Sequence, residues 1–344
     1  MRWRRVWLSA CLLRLSDTRT LPLSCLRLFG RLGWLPSCLL RVVAAVTLRA
    51  LSPLPCAVRH RTRTVAVVLW RATGTARKVL VTGAKDGRLK LWDIATLECV
   101  ATLAGHEGII NDCVWSLDGR TLASASADKT LKLWSVETRT CLATLSSDHG
   151  GPFDSCSWSS DGRSLASTSE RFRVWDVATR RCTASLGGTY YCCAWSFDGS
   201  KVLVGGHDNV KLWDVAAGSC IATLLGHNSV VHACAWSPDG RYCVTASADQ
   251  KLKIWSTAAP FDCTATLHGH RYSVKSCCWS PDGLTIASSS IDRTIKLWDA
   301  ATGNCCATVQ CDSAAPTTCW SPNGDMLVAG CEDGSMVLCD VQRV

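Results

Sequence analysis

Short runs rich in Val, Ile, Leu, Ala and Trp alternate along this chain with clusters of Ser, Asp, Gly and Pro, in an order that recurs. The second unit shows it most plainly. Ile109 to Trp115 forms one run, Ser116-Leu117-Asp118-Gly119 breaks it, and Thr121 to Ser126 forms the next. Asp128-Lys129 turns the chain again, Thr130 to Trp134 makes a third run, and Cys141 to Leu145 a fourth. Runs of this length and composition predict β-strands. Asp and Gly at the breaks tolerate the backbone angles that tight turns require. The Ser-Pro pairs at Ser237, Ser280 and Ser321 fit the second position of such a turn better than they fit proline-directed phosphorylation.

Two tryptophan series set the period. Trp70, Trp115, Trp158, Trp195, Trp236, Trp279 and Trp320 recur at intervals of 37 to 45 residues. Half a period behind come Trp92-Asp93, Trp134-Ser135, Trp175-Asp176, Trp213-Asp214, Trp255-Ser256, Trp298-Asp299 and Cys339-Asp340. A fixed period in this range marks a repeat architecture. Four short strands cannot bury both faces of their own sheet, but seven such sheets packed radially cover one another and leave no long free edge.

The motifs resemble the WD-repeat family. Gly105-His106, Gly226-His227 and Gly269-His270 are each followed, 22 and 28 residues after the His, by an Asp and a Trp. The resemblance implies an all-β fold: a seven-bladed β-propeller over residues 55–344, with a non-repeat extension over 1–54. It also implies a hydrogen-bonded chain within a blade. The three sets are His106, Ser124, Asp128, Trp134; His227, Thr245, Asp249, Trp255; and His270, Ser288, Asp292, Trp298. In the first repeat Thr82 holds the hydroxyl position. A buried indole N–H needs an acceptor, and Asp accepts from the imidazole, so a structural role for these histidines outweighs metal ligation or catalysis.

Other repeats depart from the pattern. The third keeps His149 but is shortened at Ser169-Glu170, and the fourth has Gly187-Gly188 and Asp208. The seventh has Cys311, Ala329 and Cys339 where the pattern wants His, a hydroxyl and Trp. These blades are expected to be less constrained. Asp292→Ala should cost about 1–3 kcal/mol and Asp333→Ala less. The last unit stops too soon after Cys339 for a fourth strand, so an upstream segment is expected to close the ring, Pro55 to Arg61 being the best placed and Leu39 to Leu48 a weaker candidate.

Charge and cysteine refine the picture. Residues 1–64 hold twelve Arg, no Lys and one acid, Asp17, giving +11 against a whole-chain +9, so the repeats sum to about −2. A basic nucleic-acid face on the propeller is therefore not expected. The first 54 residues read as disordered, as an organelle transit segment from their Arg-rich, acid-poor composition, or as a poor secretory signal. Leu32 to Leu48 contains Pro36 and Arg41 and is too short to span a membrane. The 23 cysteines include no Cys-x-x-Cys pair, which excludes zinc-type spacing. One set lies two residues before the strand tryptophan, as Cys113, Cys156, Cys193, Cys234 and Cys277. Another begins the fourth run, as Cys99, Cys141, Cys182, Cys220, Cys263 and Cys305. Both are expected to be small buried side chains. Free thiols in this number suit a cytoplasmic or nuclear protein.

No nucleotide loop, HExxH or GxSxG motif occurs. No cofactor, metal or catalytic set is expected, and an enzyme or small-molecule propeller using the central channel is the alternative reading. By resemblance, partner proteins dock around the channel mouth. The implied contact positions are Ile109, Asn111 and Ala127; Val230, His232 and Ala248; and Ser273, Lys275 and Ile291. The irregular repeats add Asp154, Tyr191 and His207, and the first and last add Lys85 and Glu332. This set has no arginine cluster for phosphopeptides and no aromatic cage for methyl-lysine, so a peptide segment or loop of another protein is the expected ligand, within a larger complex. No Trp-Asp pair is followed by x-Arg, which removes one support for an adaptor role in cullin-type ubiquitin ligases.

Overall fold

The computed structural model describes residues 57–61, 65–72, 78–146 and 150–341. The described strands form seven antiparallel four-stranded sheets, six of them with their strands in chain order. In the second blade the strands are Ile110–Trp115, Thr121–Ser126, Thr130–Ser135 and Cys141–Ser146, within a residue of the runs read from sequence. Residues 1–54 and His149 lie outside the described residues.

The first strand of each blade touches the first strand of the next. This chain of contacts runs from Val65–Ala72 through Ile110–Trp115, Ser155–Trp158, Cys192–Trp195, Val231–Trp236 and Val274–Trp279 to Thr317–Trp320, and from there back to Val65–Ala72. First strands therefore surround the axis and fourth strands form the outer wall. The seventh blade draws its fourth strand from upstream: Ala57–Arg61 pairs with Ser335–Asp340, Ala57 opposite Leu338 and His60 opposite Met336. That pairing gives the last blade its fourth strand and closes the ring.

The core is divided among the seams. Val81, Leu89 and Leu91 of blade one pack on Ile110, Cys113, Leu122 and Trp134 of blade two. Ala287, Ile295 and Leu297 of blade six meet Trp320, Leu327 and Val337 of blade seven. Leu80 and Trp92 of blade one meet Cys319, Val328 and Leu338 of blade seven. Each fully buried Leu or Val contributes about 1.5–3 kcal/mol, and every blade depends on both neighbours for that burial.

At one end of the ring sit the turns between first and second strands. Ser237 Oγ donates to Asp239 Oδ1 at 2.6 Å and accepts from the Tyr242 amide at 2.9 Å. Gly240 takes the left-handed φ of 69°. Ser237, Ser280 and Ser321 are buried, so their hydroxyls serve the turn.

One cysteine expectation fails. Cys113, Cys156, Cys193 and Cys277 are buried and Cys234 half-buried, but Cys99, Cys141, Cys182, Cys263 and Cys305 are exposed and Cys220 is half-buried. The exposed set begins the outermost strands, where radially arranged blades splay apart and neighbours no longer cover both faces. A bulge there sets Trp92 opposite Cys99 and Leu91 opposite Ala101. The thiol turns outward and donates to the carbonyl two residues on, 3.3 Å from Cys99 Sγ to Ala101 O.

Candidate functional site

The end of the ring opposite those turns carries the Gly-His loops and the turns between second and third strands. Three blades are stapled there by the same hydrogen-bond chain. In blade six Trp298 Nε1 donates to Ser288 Oγ at 2.8 Å, Ser288 Oγ lies 2.8 Å from His270 Nε2, and His270 Nδ1 lies 2.8 Å from Asp292 Oδ2. Blade two repeats it through Trp134, Ser124, His106 and Asp128 at 2.8, 2.6 and 2.7 Å. Blade five does so through Trp255, Thr245, His227 and Asp249 at 2.9, 2.8 and 2.8 Å. The indole has one proton and the hydroxyl one, so donation runs one way: indole to hydroxyl, hydroxyl to Nε2, and Nδ1–H to carboxylate.

The electrostatics agree with that direction. Burial lowers the pKa of His106 and His270, with the Asp bond opposing. Burial alone would raise Asp292, yet hydrogen bonds from Thr294, the Arg271 amide and His270 hold it below its usual range. A neutral imidazole beside an ionised carboxylate is the result. The glycine before each His follows from the same packing: a Cβ at Gly269 would sit 3.2 Å from the Trp298 ring. Every donor and acceptor of the chain is engaged, and among the described residues no cluster of His, Cys, Asp and Glu is placed to hold a metal.

Elsewhere the chain survives in part. Trp92 Nε1 donates to Thr82 Oγ1 at 2.9 Å. Trp175 Nε1 finds Ser167 Oγ at 2.8 Å, only eight residues back, so the shortened third repeat keeps its indole acceptor. Among the described residues the side-chain donor to Asp208 is the neighbouring Asn209 amide, at 2.8 Å.

Around the channel mouth the structure joins the expected contact positions in pairs. The Ala127 amide donates to the Ile109 carbonyl at 2.8 Å, Ala248 to Val230 at 2.8 Å and Ile291 to Ser273 at 3.1 Å. Ile109 and Ile291 are exposed, at 39% and 40%. Lys85, His207 and Glu332 are exposed on their turns, and Val230 and Ser273 are half-buried.

A second group lies nearer the axis. In blades two, five and six the first strand carries one extra residue near the rim. The register steps from Ile110↔Ser126 to Asp112↔Ala125, from Val231↔Ser247 to Ala233↔Ala246, and from Val274↔Ser290 to Ser276↔Ser289. The extra residues are Asn111, His232 and Lys275. A bulge frees its extra residue from the ladder and re-aims the side chain. Asp154 and Tyr191 hold the same place, four residues before the strand tryptophan, in blades three and four.

These side chains reach across seams. Asn111 Nδ2 donates to the Phe153 carbonyl at 2.8 Å. Lys275 Nζ donates to His232 Nε2 at 3.0 Å. Burial, then the charge of Lys275, push His232 down to about 4, so the imidazole is neutral and free to accept. Burial lowers Lys275 as well, with Glu332 opposing. Burial pushes Asp154 up to about 6. Asp112, one residue past the bulge, is also raised to about 6 by burial, against hydrogen bonds from the Cys156 amide and Ser155. Sequence spacing did not single out Asp112, which ties blade two to blade three at 2.7 Å from Ser155 Oγ.

At the opposite end, a groove of about 650 Å³ between blades two and three is lined by Leu117, Asp118, Leu133, Leu142, Trp158 and Arg180. None of the expected contact residues lines it.

A closed ring of seven blades, three of them stapled, defines a β-propeller. Its family is shown directly: residues 59–93, 97–135, 180–214, 218–256, 261–299 and 303–340, over half of the chain, match the model described as "WD domain, G-beta repeat", and the protein belongs to that family. The stretch between 135 and 180 goes unmatched, although blade three still forms its four strands.

Among curated proteins the chain is similar to nuclear distribution protein PAC1-2 of Uncinocarpus reesii, 31% identical over 198 residues, 57% of this chain and 40% of that protein. Nuclear distribution protein PAC1 of Arthroderma otae is 28% identical over the same length and shares. Nuclear distribution protein nudF of Aspergillus niger is 27% identical over 172 residues, 47% of this chain and 39% of its own. The chain thus spans about two fifths of the length of these relatives. Among the described residues no helix is long and apolar enough to cross a membrane.

Proposed function

We propose that this protein is a non-catalytic scaffold whose propeller holds a segment or loop of another protein at the channel mouth and thereby assembles a larger complex. One observation carries the reading. The staple positions repeat in blades two, five and six, whereas one backbone position on the rim carries Asn111, Asp154, Tyr191, His232 and Lys275 in successive blades. Repetition in the frame serves stability, and variation at an equivalent rim position serves recognition. The site residues at the rim, from Lys85 to Glu332, are the contact set we assign. Nuclear distribution, named in the relatives, is the first assembly to test, and a cytoplasmic or nuclear location accords with a cysteine count of 23 that includes no Cys-x-x-Cys pair. We assign the propeller to residues 55–344 and treat 1–54 as a separate extension.

The test compares the full chain with a Tyr191→Ala, His232→Ala, Lys275→Ala variant in co-purification. A defined set of proteins lost from the folded variant supports the rim as the binding face. Retention of that set moves the interface to another surface, and the absence of any partner removes the scaffold reading.

A further inference from the structure

The rim groups nearest the axis are sorted by charge. Taken in ring order from blade three to blade six they are a carboxyl, a phenol, an imidazole and an ammonium: Asp154, Tyr191, His232 and Lys275. Blades three and six stand three steps apart in a ring of seven, so the two positions lie on nearly opposite sides of the ring, with Tyr191 and His232 on the shorter arc between them.

Neither charge is met inside the chain. Among the described residues no side chain donates a hydrogen bond to the Asp154 carboxylate and none forms an ion pair with it, although the residue is half-buried. Lys275 is half-buried too, and its contact is the neutral His232 ring at 3.0 Å. Glu332 of blade seven acts on it only at longer range. Half-burying a charge without a partner is unfavourable. An arrangement that leaves two opposite charges unmet on one rim, each held by the frame, costs stability and gains specificity for a ligand that meets both. Burial that depresses His232 also keeps it an acceptor for Lys275, which directs the remaining ammonium protons elsewhere.

We propose that the channel mouth binds an extended protein segment carrying a basic side chain, a nonpolar or aromatic one, and an acidic side chain in sequence along the arc. The base sits on Asp154, the middle residue on Tyr191 and the acid on Lys275 beside His232. The inference rests on the scaffold reading and adds the chemistry of the partner. A polyanion such as nucleic acid is disfavoured, since the groups nearest the axis include Lys275 alone as an ammonium and set a carboxylate against the phosphates. A free zwitterion shares the charges but carries no middle residue to cover Tyr191.

The experiment selects random linear peptides on the immobilised full chain at low salt. The enriched peptides are then measured by fluorescence anisotropy against the wild type, Asp154→Asn, Asp154→Lys, Lys275→Met, Lys275→Glu and Tyr191→Ala. Far-UV circular dichroism and melting temperature check that each variant is folded; the near-isosteric Asn and Met variants stand in if a charge reversal is not. Enriched peptides should hold one base and one acid flanking a nonpolar residue. Lys275→Glu should weaken them by about tenfold or more, and changing the peptide's acid to Lys should restore binding to Lys275→Glu while abolishing it on the wild type. The dipeptide Lys-Glu should compete poorly. Peptides that lose affinity on Tyr191→Ala but ignore both charge reversals would overturn the charge assignment and leave the rim reading standing. Peptides indifferent to all five variants would overturn both. Displacement by the dipeptide at equal concentration would give the site to a small zwitterion and remove the segment.

Discussion

Removing the staple carboxylates tests whether the tetrads hold the blades. Asp292 Oδ2 accepts from His270 Nδ1 at 2.8 Å and from the Arg271 amide at 2.9 Å. Its Oδ1 accepts from the Thr294 amide at 2.9 Å and hydroxyl at 2.6 Å. Asp292→Ala removes all four acceptances. The amides and the hydroxyl reach water and lose about 0.5 kcal/mol each at most, while a buried imidazole N–H left unmet costs about 1–3 kcal/mol. The His270 side chain is 0% exposed, so water does not replace the carboxylate. Thr294 Oγ1, 3.2 Å from the same nitrogen, is a fallback acceptor, which sets the loss at about 2–3 kcal/mol. Asp249→Ala should lose slightly more, because Lys251 stands where Thr294 does and offers no acceptor. Asp333→Ala should lose about 1 kcal/mol. That carboxylate accepts from the Ser335 amide and hydroxyl at 3.0 and 2.6 Å, and Cys311 takes the place of the His. For a domain of this size each kcal/mol lowers the melting temperature by about 2 °C, giving drops of about 6, 5 and 2 °C for Asp249, Asp292 and Asp333. Differential scanning fluorimetry resolves these. Equal drops, or the largest at Asp333, would refute the assignment of the imidazole as the group that decides the cost.

The other predictions are quicker to test. Iodoacetamide on the native chain, followed by peptide mapping, should label Cys99, Cys141, Cys263 and Cys305 long before Cys113, Cys156 and Cys277; labelling at equal rates would contradict the splayed outer wall. Burial lifts the Asp154 carboxyl from its ordinary value near 3.8 to about 6, so folding disfavours its ionised form at neutral pH and the cost is relieved as pH falls through 6. Asp154→Asn should therefore melt higher than the wild type at pH 7.5 and equally at pH 4, and a constant difference would show that the carboxyl is not perturbed. The His232 imidazole should titrate near 4 by NMR, and Lys275→Met should raise it only in part, because burial, the larger cause, remains; an unmoved midpoint would break the pairing of the two side chains. Gly205→Ala should be destabilising by about 1–3 kcal/mol, since its Cβ would collide with Cys192 Sγ and press on Val231. A neutral result there would mean the seam yields more than its packing suggests.

Most of the frame was legible because its physics is periodic. Strand, turn and strand recur, and the spacing of 22 and 28 residues after each Gly-His brings His, Asp and Trp together in three blades. Closure by Ala57–Arg61 followed from counting strands in the last blade. What sequence could not show depends on the radial direction. Cys99 and Cys113 look alike as residues, but one begins an outer strand and the other faces the neighbouring blade. Bulges were also hidden, because no residue type marks Asn111, His232 and Lys275 as the extra member of a strand. The pairing of Lys275 with His232 crosses a seam at one blade's distance, and a reading confined to single repeats has no term for it. Asp112 escaped for the same reason, since its partners belong to the following blade.

The bulges also explain how a repeat frame can vary its rim cheaply. A residue inside the ladder contributes side-chain packing and pleat position, so changing it disturbs both seams. The extra residue of a bulge has no ladder partner, and its side chain leaves the packed face. Asn111, His232 and Lys275 are half-buried, whereas the next residue back in each strand, Ile110, Val231 and Val274, is 0% exposed. Substitution at the bulge therefore changes what the channel mouth offers while the core beneath it is left intact. Stability sits in the repeating positions, so the bulged position can differ between blades in charge and shape while the frame keeps its fold.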